Sequence, residues 1–102
     1  MAITLQDVKD DLGQDYEDPA LERALSSTLT RAEAKIRSFA GLNQDETLDI
    51  EDEQLILDCV RYMHYHAFED FERNYRDELV AMRNKYEARR YVPEGEESDD
   101  NQ

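Results

Sequence analysis

The sequence contains one cysteine, two prolines, three glycines and no tryptophan in 102 residues. A single cysteine excludes an internal disulfide and cannot supply a cysteine-based zinc site, which suits a reducing compartment. So few glycines and prolines, beside 37% charged residues, favour long helices over an all-β domain. No apolar run approaches the ~20 residues that a membrane helix needs, and the first residues lack the features of a signal peptide. We therefore expect one soluble, intracellular domain with a modest core.

Positive charge is also scarce, because 12 lysines and arginines face 26 aspartates and glutamates, for a formal net charge of -14. This excess argues against sequence-independent binding of DNA or RNA, which depends on neutralising phosphates, and against an anionic membrane surface. The excess is uneven. Residues 1–53 carry 14 acidic and 5 basic groups, residues 54–91 carry 7 of each, and residues 92–102 carry 5 acidic groups and none basic. Acidic charge is therefore concentrated in the first half and the tail.

The first half contains two helix signals. Thr4 opens a capping-box pattern and Gly13 offers a left-handed exit, which together predict a short first helix. Asp18 is an N-cap acceptor directly before a proline at the first helical position. Apolar residues then recur at spacings of three and four as far as Gly41. We expect a long helix over residues 19–40.

The second half predicts two further helices. A broad apolar face over residues 53–72, with Asp52 as the cap, predicts a central helix that touches two neighbours. A break at Arg73-Asn74 precedes a last amphipathic helix, and the acidic end of the chain has no apolar side chain to bury. The expected fold is an all-α bundle of about four helices over residues 1–91, followed by a disordered acidic tail over residues 92–102.

Two surfaces of these helices are candidates for interaction. The central helix carries a second, thinner apolar stripe, which suggests a partner or subunit contact on a helix already half buried. The members of this stripe are Leu57, Arg61, His64 and Phe68. The last helix carries basic residues along both edges of its apolar stripe. These residues could pair with the protein's own acidic first half or dock to an acidic partner, and both interpretations stay open.

Catalytic and metal-binding patterns are weak. Cys59, Met63 and His66 share a helical face that could hold a soft ion, but a second ligand pair is missing and core packing explains them better. His64 and His66 would point ~200° apart on one helix, so they could not bind one ion. No nucleophile–base pair, phosphate-cradling loop or calcium-loop spacing is present. We expect no catalysis, no cofactor and no metal, with Cys59 unreactive in the core.

Several segments together carry a likeness to a known family. They are Ile3-Thr4-Leu5-Gln6-Asp7-Val8-Lys9, the helix start Asp18-Pro19-Ala20-Leu21, the run from Leu55 to Arg73 with Tyr62-x-x-Tyr65 and Phe68-Glu69, and the end Tyr86-Glu87-Ala88-Arg89-Arg90-Tyr91. Over most of residues 2–91 the chain resembles the head-to-tail connector family of tailed bacteriophages, in particular the siphophage adaptor or head-completion proteins. The likeness fails before the third helix, where family members often carry a proline and this chain has Asp52-Glu53.

The resemblance implies a structural protein of the virion, made in the host cytoplasm, that joins the portal vertex after DNA packaging. Copies would form a ring under the portal, extend the DNA channel without specific DNA binding, and offer a platform for the stopper or tail-completion protein. The resemblance also points to the C-terminal region as the part that meets the portal. Arginine and tyrosine dominate interface energetics, so the expected portal-binding residues are Arg83, Tyr86, Arg89, Arg90 and Tyr91.

The same role suits the acidic loop between the second and third helices. Carboxylates that face a channel repel phosphates and let DNA slide, so the expected channel-facing residues are Asp45, Glu46, Asp49 and Glu51. The simpler interpretation is that the acidic loops keep the protein soluble. The alternative function is an acidic helical inhibitor that imitates DNA, or another small regulatory binding protein. We expect the free chain to be monomeric or weakly associated, because 14 net negative charges per copy oppose self-association.

Overall fold

The structure is a computed structural model that describes residues 3–14, 17–43 and 45–90. These residues form five helices and no strand: α1 (Leu5–Leu12), α2 (Pro19–Ala40), α3 (Ile50–His64), α4 (Phe68–Asn74) and α5 (Arg76–Arg90). The fold is therefore all-α, as the sequence predicts. None of the described helices combines the length and apolarity needed to cross a lipid bilayer. The expected tail, with Tyr91 before it, lies outside the described residues.

The first two helices begin and end where the sequence predicts. The Thr4 side chain accepts a hydrogen bond from the Asp7 backbone N–H, while the Asp7 carboxylate accepts one from the Thr4 backbone N–H, which completes the capping box. Asp18 accepts hydrogen bonds from two backbone N–H groups in the first turn of α2. Gly13 and Gly41 close the two helices in left-handed conformation, each with φ of 73°. This conformation favours glycine because it has no Cβ.

The prediction of a single central helix over residues 53–72 is wrong, because the chain forms two helices there with a turn around His66. The His66 backbone N–H donates to the carbonyl of Met63 at 3.0 Å, and the Ala67 N–H donates to the carbonyl of Tyr62 at 2.8 Å. This pair of bonds is a Schellman motif, which satisfies the last carbonyls of α3. The described residues therefore contain five helices where about four were expected.

Two further boundaries differ from the sequence prediction. α3 begins at Ile50 with Asp49 at the N-cap position, whereas the pattern placed the cap at Asp52. The Asp49 side chain makes no capping hydrogen bond, since α5 engages its carboxylate. The expected break at Arg73-Asn74 lies one residue later, at Tyr75, between α4 and α5.

The core runs through all five helices, with α2 packed against α1, α3 and α5, and α3 packed against α1 and α4. Its largest fully buried side chains are Phe71, Leu25, Ile36, Ile56, Val8, Val60 and Cys59. Burying each of the larger ones contributes about 1.5–3 kcal/mol. Burial also raises the pKa of the Cys59 thiol to about 12. A thiol that keeps its proton at neutral pH is a poor nucleophile and metal ligand.

The short helix α4 is held by aromatic packing. The Phe71 ring is fully buried and stacks on Tyr75 with 4.6 Å between ring centroids, while Tyr62 meets its edge at 5.7 Å. Such pairs add to the free energy gained from burial itself. This cluster fixes α4 against α3 and so sets the direction in which α5 leaves.

Candidate functional site

The end of α5 lies against the acidic segment that precedes and begins α3. We call this contact the α5 junction, and it joins Lys85, Tyr86, Arg89 and Arg90 to Glu46, Asp49, Glu51 and Asp52. Lys85 and Arg89 lie four residues apart on α5, as do Tyr86 and Arg90, so the four side chains share one face of the helix. Residues from both predicted interaction sites, the portal-binding group and the channel-facing loop, therefore meet in one place.

The buried centre of the junction is Asp52. The Tyr86 hydroxyl donates to its carboxylate at 2.5 Å, and Lys85 Nζ donates to the same oxygen at 2.7 Å. The Asp52 and Tyr86 residues are 8% and 4% exposed. A buried carboxylate requires such donors, because without them its desolvation would cost several kcal/mol.

Asp49 forms the outer layer of the junction. Its two carboxylate oxygens accept hydrogen bonds from the guanidinium of Arg89 at 3.1 and 2.8 Å, the bidentate geometry that arginine favours. Lys85 Nζ lies 3.1 Å from the same carboxylate. The Asp49 backbone N–H donates to the Tyr86 hydroxyl at 2.8 Å, so this hydroxyl both donates and accepts. The start of α3 is thereby tied to the end of α5.

Arg90 attaches the last turn of α5 to the loop after α2. Its guanidinium donates to the Gly41 carbonyl and to the Glu46 carboxylate, both at 2.9 Å. The pKa of Glu46 is lowered, first because the Asn43 backbone N–H donates to its carboxylate and then because of Arg90. These groups are exposed to solvent, where single ion pairs contribute only about 0.2–1 kcal/mol.

The electrostatics of the junction keep its groups in the charge states that bind. The pKa of Asp49 falls from 3.8 to about 2, because Arg89 and then Lys85 donate hydrogen bonds to the carboxylate. Burial raises the pKa of Tyr86 to about 12, and the hydrogen bond to Asp52 acts in the same direction. Burial alone would lower the pKa of Lys85, but hydrogen bonds to carboxylates, that of Asp52 foremost, raise it. At neutral pH Asp49 and Lys85 are therefore charged and Tyr86 keeps its proton.

The five residues expected to bind a portal fall into three groups. Arg83, Arg89 and Arg90 are exposed, and Arg83 pairs with a glutamate of its own helix. Tyr86 lies in the core with its hydroxyl engaged, so it holds α5 in place and offers no free surface. Tyr91 lies outside the described residues. Of the described members of this group, the arginines alone present side chains that a partner could contact.

The four carboxylates expected to face a DNA channel also separate. Asp45 is exposed and forms no ion pair with any described residue. The carboxylates of Glu46, Asp49 and Glu51 lie within 3.2 Å of a cation on α5. Much of the negative charge of this loop is therefore balanced within the chain, which is the internal pairing that the sequence left open.

The stripe expected to contact a partner or subunit does not form one continuous free surface. Leu57 packs partly against the core, and Arg61 pairs with Asp11 of α1 and with Asp58, at 3.0 and 3.3 Å. The remaining two residues, His64 at the end of α3 and Phe68 at the start of α4, line a groove beside α2. The break between α3 and α4 separates them from the line of one helix.

Sequence reasoning missed two buried charged residues. Lys9 is 5% exposed and its ammonium lies 3.0 Å from Glu22, which links α1 to α2. Asp52 was expected at a helix cap and is instead the buried acceptor of the α5 junction. Neither partner is close in sequence, so the local pattern carries no signal for these contacts. A lysine or aspartate is rarely buried without a partner of opposite charge.

His66 lies on the surface and away from the core face that it was expected to share with Cys59. Among residues 3–14, 17–43 and 45–90, no three side chains of histidine, cysteine, aspartate or glutamate group closely enough to hold a metal ion.

Comparison of the chain with protein-family models, curated proteins and solved structures gives no match.

Proposed function

We propose that the chain is a head-completion adaptor of a tailed phage. In this role it binds the portal vertex after DNA packaging, forms a ring that extends the DNA channel, and provides the docking platform for the stopper or tail. The segments that resemble the connector family supply α1, the start of α2, most of α3 and α4, and the end of α5. The likeness is therefore distributed over all five helices and is not confined to one element.

The observation that carries the proposal is the exposed pair of arginines that ends α5. Arg89 and Arg90 have 56% and 37% of their side-chain surface exposed, although both pair with carboxylates of the same chain. Exposed pairs are weak, so carboxylates of a partner can replace them at little cost. Arginine is also among the residues that contribute most to protein interfaces. We place the portal contact here, with Arg83 one to two turns earlier on α5.

The charge of the chain supports its place on a DNA channel. The formal net charge of -14 gives a ring of copies a strongly negative field, which repels phosphates and leaves DNA free to slide. Cations of α5 offset the charges of Glu46, Asp49 and Glu51, so Asp45 is the residue of the predicted channel group whose charge no described ion pair offsets. The DNA-mimic alternative loses support for the same reason, because internally paired carboxylates imitate phosphates poorly.

The proposal is tested by sedimentation of the purified chain with DNA-filled, tailless heads from a phage whose genome encodes it. The wild-type chain is expected to sediment with the heads. The double charge reversal Arg89→Glu with Arg90→Glu is expected to reduce binding at least tenfold, because two arginine contacts contribute at least 1.4 kcal/mol together. Heads mixed with this variant should stay leaky and tailless.

A matched control is available near the other end of α5. Arg73 and Arg76 are also exposed, and reversing both to glutamate changes the net charge by the same amount. This control should bind heads as the wild type does, and circular dichroism should show both variants helical. A wild-type chain that stays in the supernatant would refute the adaptor role. Equal binding by the two double variants would move the docking face elsewhere, first to the stripe of Leu57, Arg61, His64 and Phe68.

A further inference from the structure

A groove of about 950 Å³ lies between α2 and the junction of α3 with α4. We call it the α2–α4 groove. Its apolar part is formed by Met63 and Phe68, and its polar part includes the cations Arg31 and Lys35 and the imidazoles of His64 and His66. Apolar surface bordered by net positive charge is typical of a site for a negatively charged segment. This groove is distinct from the α5 junction and shares no residue with it.

The cations of this groove have no carboxylate partner among the described residues. Arg31 and Lys35 lie one turn apart on α2 and are exposed. Arg31 donates a 3.3 Å hydrogen bond to the Thr28 hydroxyl, and Lys35 Nζ lies 4.5 Å from the centre of the Phe68 ring. Seven of the 12 lysines and arginines pair with a carboxylate of the described residues. Two adjacent cations that do not are therefore available to a ligand with carboxylates.

Both histidines of the chain line the same groove. His66 has φ of 59°, the single positive φ among the described residues other than glycine. The equivalent positions after α1 and α2 are Gly13 and Gly41, where this conformation is easily adopted. A histidine at this position adopts a left-handed conformation that is strained for its side chain, and it places an imidazole in the groove. Strain of this kind is concentrated at functional sites.

We propose that the α2–α4 groove binds the acidic segment 92–102 of the same chain. This segment has five carboxylates and no cation, so it complements the two cations and two imidazoles of the groove. Glu69 is the acidic residue on the groove's edge, and it leaves the rim with net positive charge. The occupant is favoured over other acidic partners because it is tethered, and a short tether gives an effective concentration in the millimolar range.

The segment is long enough to reach. Arg90, the last described residue, is bonded to the Gly41 carbonyl at the end of α2. Lys35 lies six residues and Arg31 ten residues before Gly41, or about 9 and 15 Å along the helix. Eleven extended residues span up to ~36 Å. The segment can therefore pass around α2 and place its carboxylates beside both cations. The inference does not depend on the proposed portal contact.

The two histidines provide a probe within the full-length chain. We compare their ring-proton chemical shifts at one pH between the wild type and a variant with a neutral tail, in which Glu94, Glu96 and Glu97 become glutamine and Asp99 and Asp100 become asparagine. Both histidines should shift on neutralisation, and 0.5 M NaCl should produce the same change in the wild type, because salt screens exposed charges. A control in which Asp77→Asn and Glu78→Gln remove charge from the start of α5 should leave the chemical shifts of both histidines unchanged.

Unchanged histidine shifts in the neutral-tail variant would overturn the proposal. Dilution of the wild type separates the possible sources of the occupant. Shifts that do not change over a 20-fold dilution support binding within one chain, whereas shifts that fade on dilution would contradict it and indicate a second copy.

Cleavage of the tail after glutamate by a glutamate-specific protease gives an independent readout. Reversal of both groove cations, Arg31→Glu with Lys35→Glu, should accelerate cleavage about threefold or more, since two exposed ion pairs are lost. The control Arg73→Glu with Arg76→Glu carries the same charge change outside the groove and should be cleaved at the wild-type rate. Equal acceleration in both variants would overturn the proposal, because net charge alone would then explain it.

Discussion

The α5 junction and the α2–α4 groove both gather positive side chains on a chain of net charge -14, but the junction alone neutralises them within the described residues. At the junction, Lys85 and Arg89 contact carboxylates of the α3 start at 2.7 to 3.2 Å. In the groove, Arg31 and Lys35 contact a hydroxyl and an aromatic ring. The difference separates cations that hold the fold together from cations that remain available for binding.

The α5 junction itself has a buried inner pair and an exposed outer pair. Asp52 and Tyr86 are inside, where removing one partner leaves the other without its hydrogen bond. Arg89 and Arg90 are at the surface, where water replaces a lost partner. Stability should therefore depend on the inner pair, while the outer arginines can serve a partner at small cost.

The largest effect is expected from Asp52→Ala, which removes the buried acceptor of the junction. The Tyr86 hydroxyl and the Lys85 ammonium each lose a hydrogen bond, so the free energy of unfolding should fall by about 3 kcal/mol. Urea denaturation followed by circular dichroism measures this loss. Asp45→Ala removes an exposed carboxylate and should change stability by less than about 0.5 kcal/mol. A loss below about 1 kcal/mol for Asp52→Ala would mean that the inner pair does not hold α5.

The next prediction compares two charge reversals of equal size. Arg89→Glu with Arg90→Glu breaks exposed pairs and brings negative charges together, so it should lower the urea midpoint while the helical content stays nearly unchanged. Arg31→Glu with Lys35→Glu breaks no ion pair within the described residues and should stay within about 0.5 kcal/mol of the wild type. The urea midpoints of the two variants, each compared with the wild type, measure the two losses of stability. Equal losses would erase the distinction between junction and groove.

A smaller effect, of opposite sign, is expected at the strained turn. His66→Gly relieves a left-handed conformation and should raise the free energy of unfolding by about 0.5–1 kcal/mol. The control with the opposite expected sign is Gly13→Ala. An added Cβ there would meet nothing within 4 Å, so backbone strain alone would change the stability. This control should lose about 1 kcal/mol in the same thermal or urea assay. A destabilised His66→Gly would show that the imidazole makes contacts that the strain supports.

The smallest effect concerns acid. The pKa of Asp49 is about 2 in the folded chain against 3.8 ordinarily, so its ion pair stabilises the fold above about pH 4. That contribution is lost as the pH falls from about 4 to 2, because protons then bind the unfolded chain more readily. Unfolding measured from pH 5 to 2 should therefore show a shallower decline for Asp49→Asn than for the wild type. Parallel curves would indicate that Arg89 and Lys85 do not hold this carboxylate.

The helical class and the first two helices could be predicted because their signals are local. Thr4 with Asp7 and Asp18 with Pro19 cap helices through contacts within four residues, and Gly41 marks the end of α2 by its conformational freedom. The division of the central helix could not be predicted, since its Schellman motif has His66 where the pattern requires glycine.

The candidate site could be predicted from the sequence only in part, for a related reason. The spacing of Lys85 and Arg89 on one face, opposite an acidic first half, allowed internal pairing as one of two interpretations. Which carboxylate each cation meets depends on contacts across more than thirty residues, such as Tyr86 with Asp52. The direction of α5, set by the packing of α4, decides those contacts, and no local pattern encodes it.

In the proposed adaptor function, the chain occupies the portal vertex. Single-particle reconstruction of DNA-filled, tailless heads saturated with the purified chain tests it most directly. We expect a ring of helical density below the portal, with the end of α5 and its Arg89 and Arg90 at the contact. A vertex that shows bare portal after saturation would contradict it.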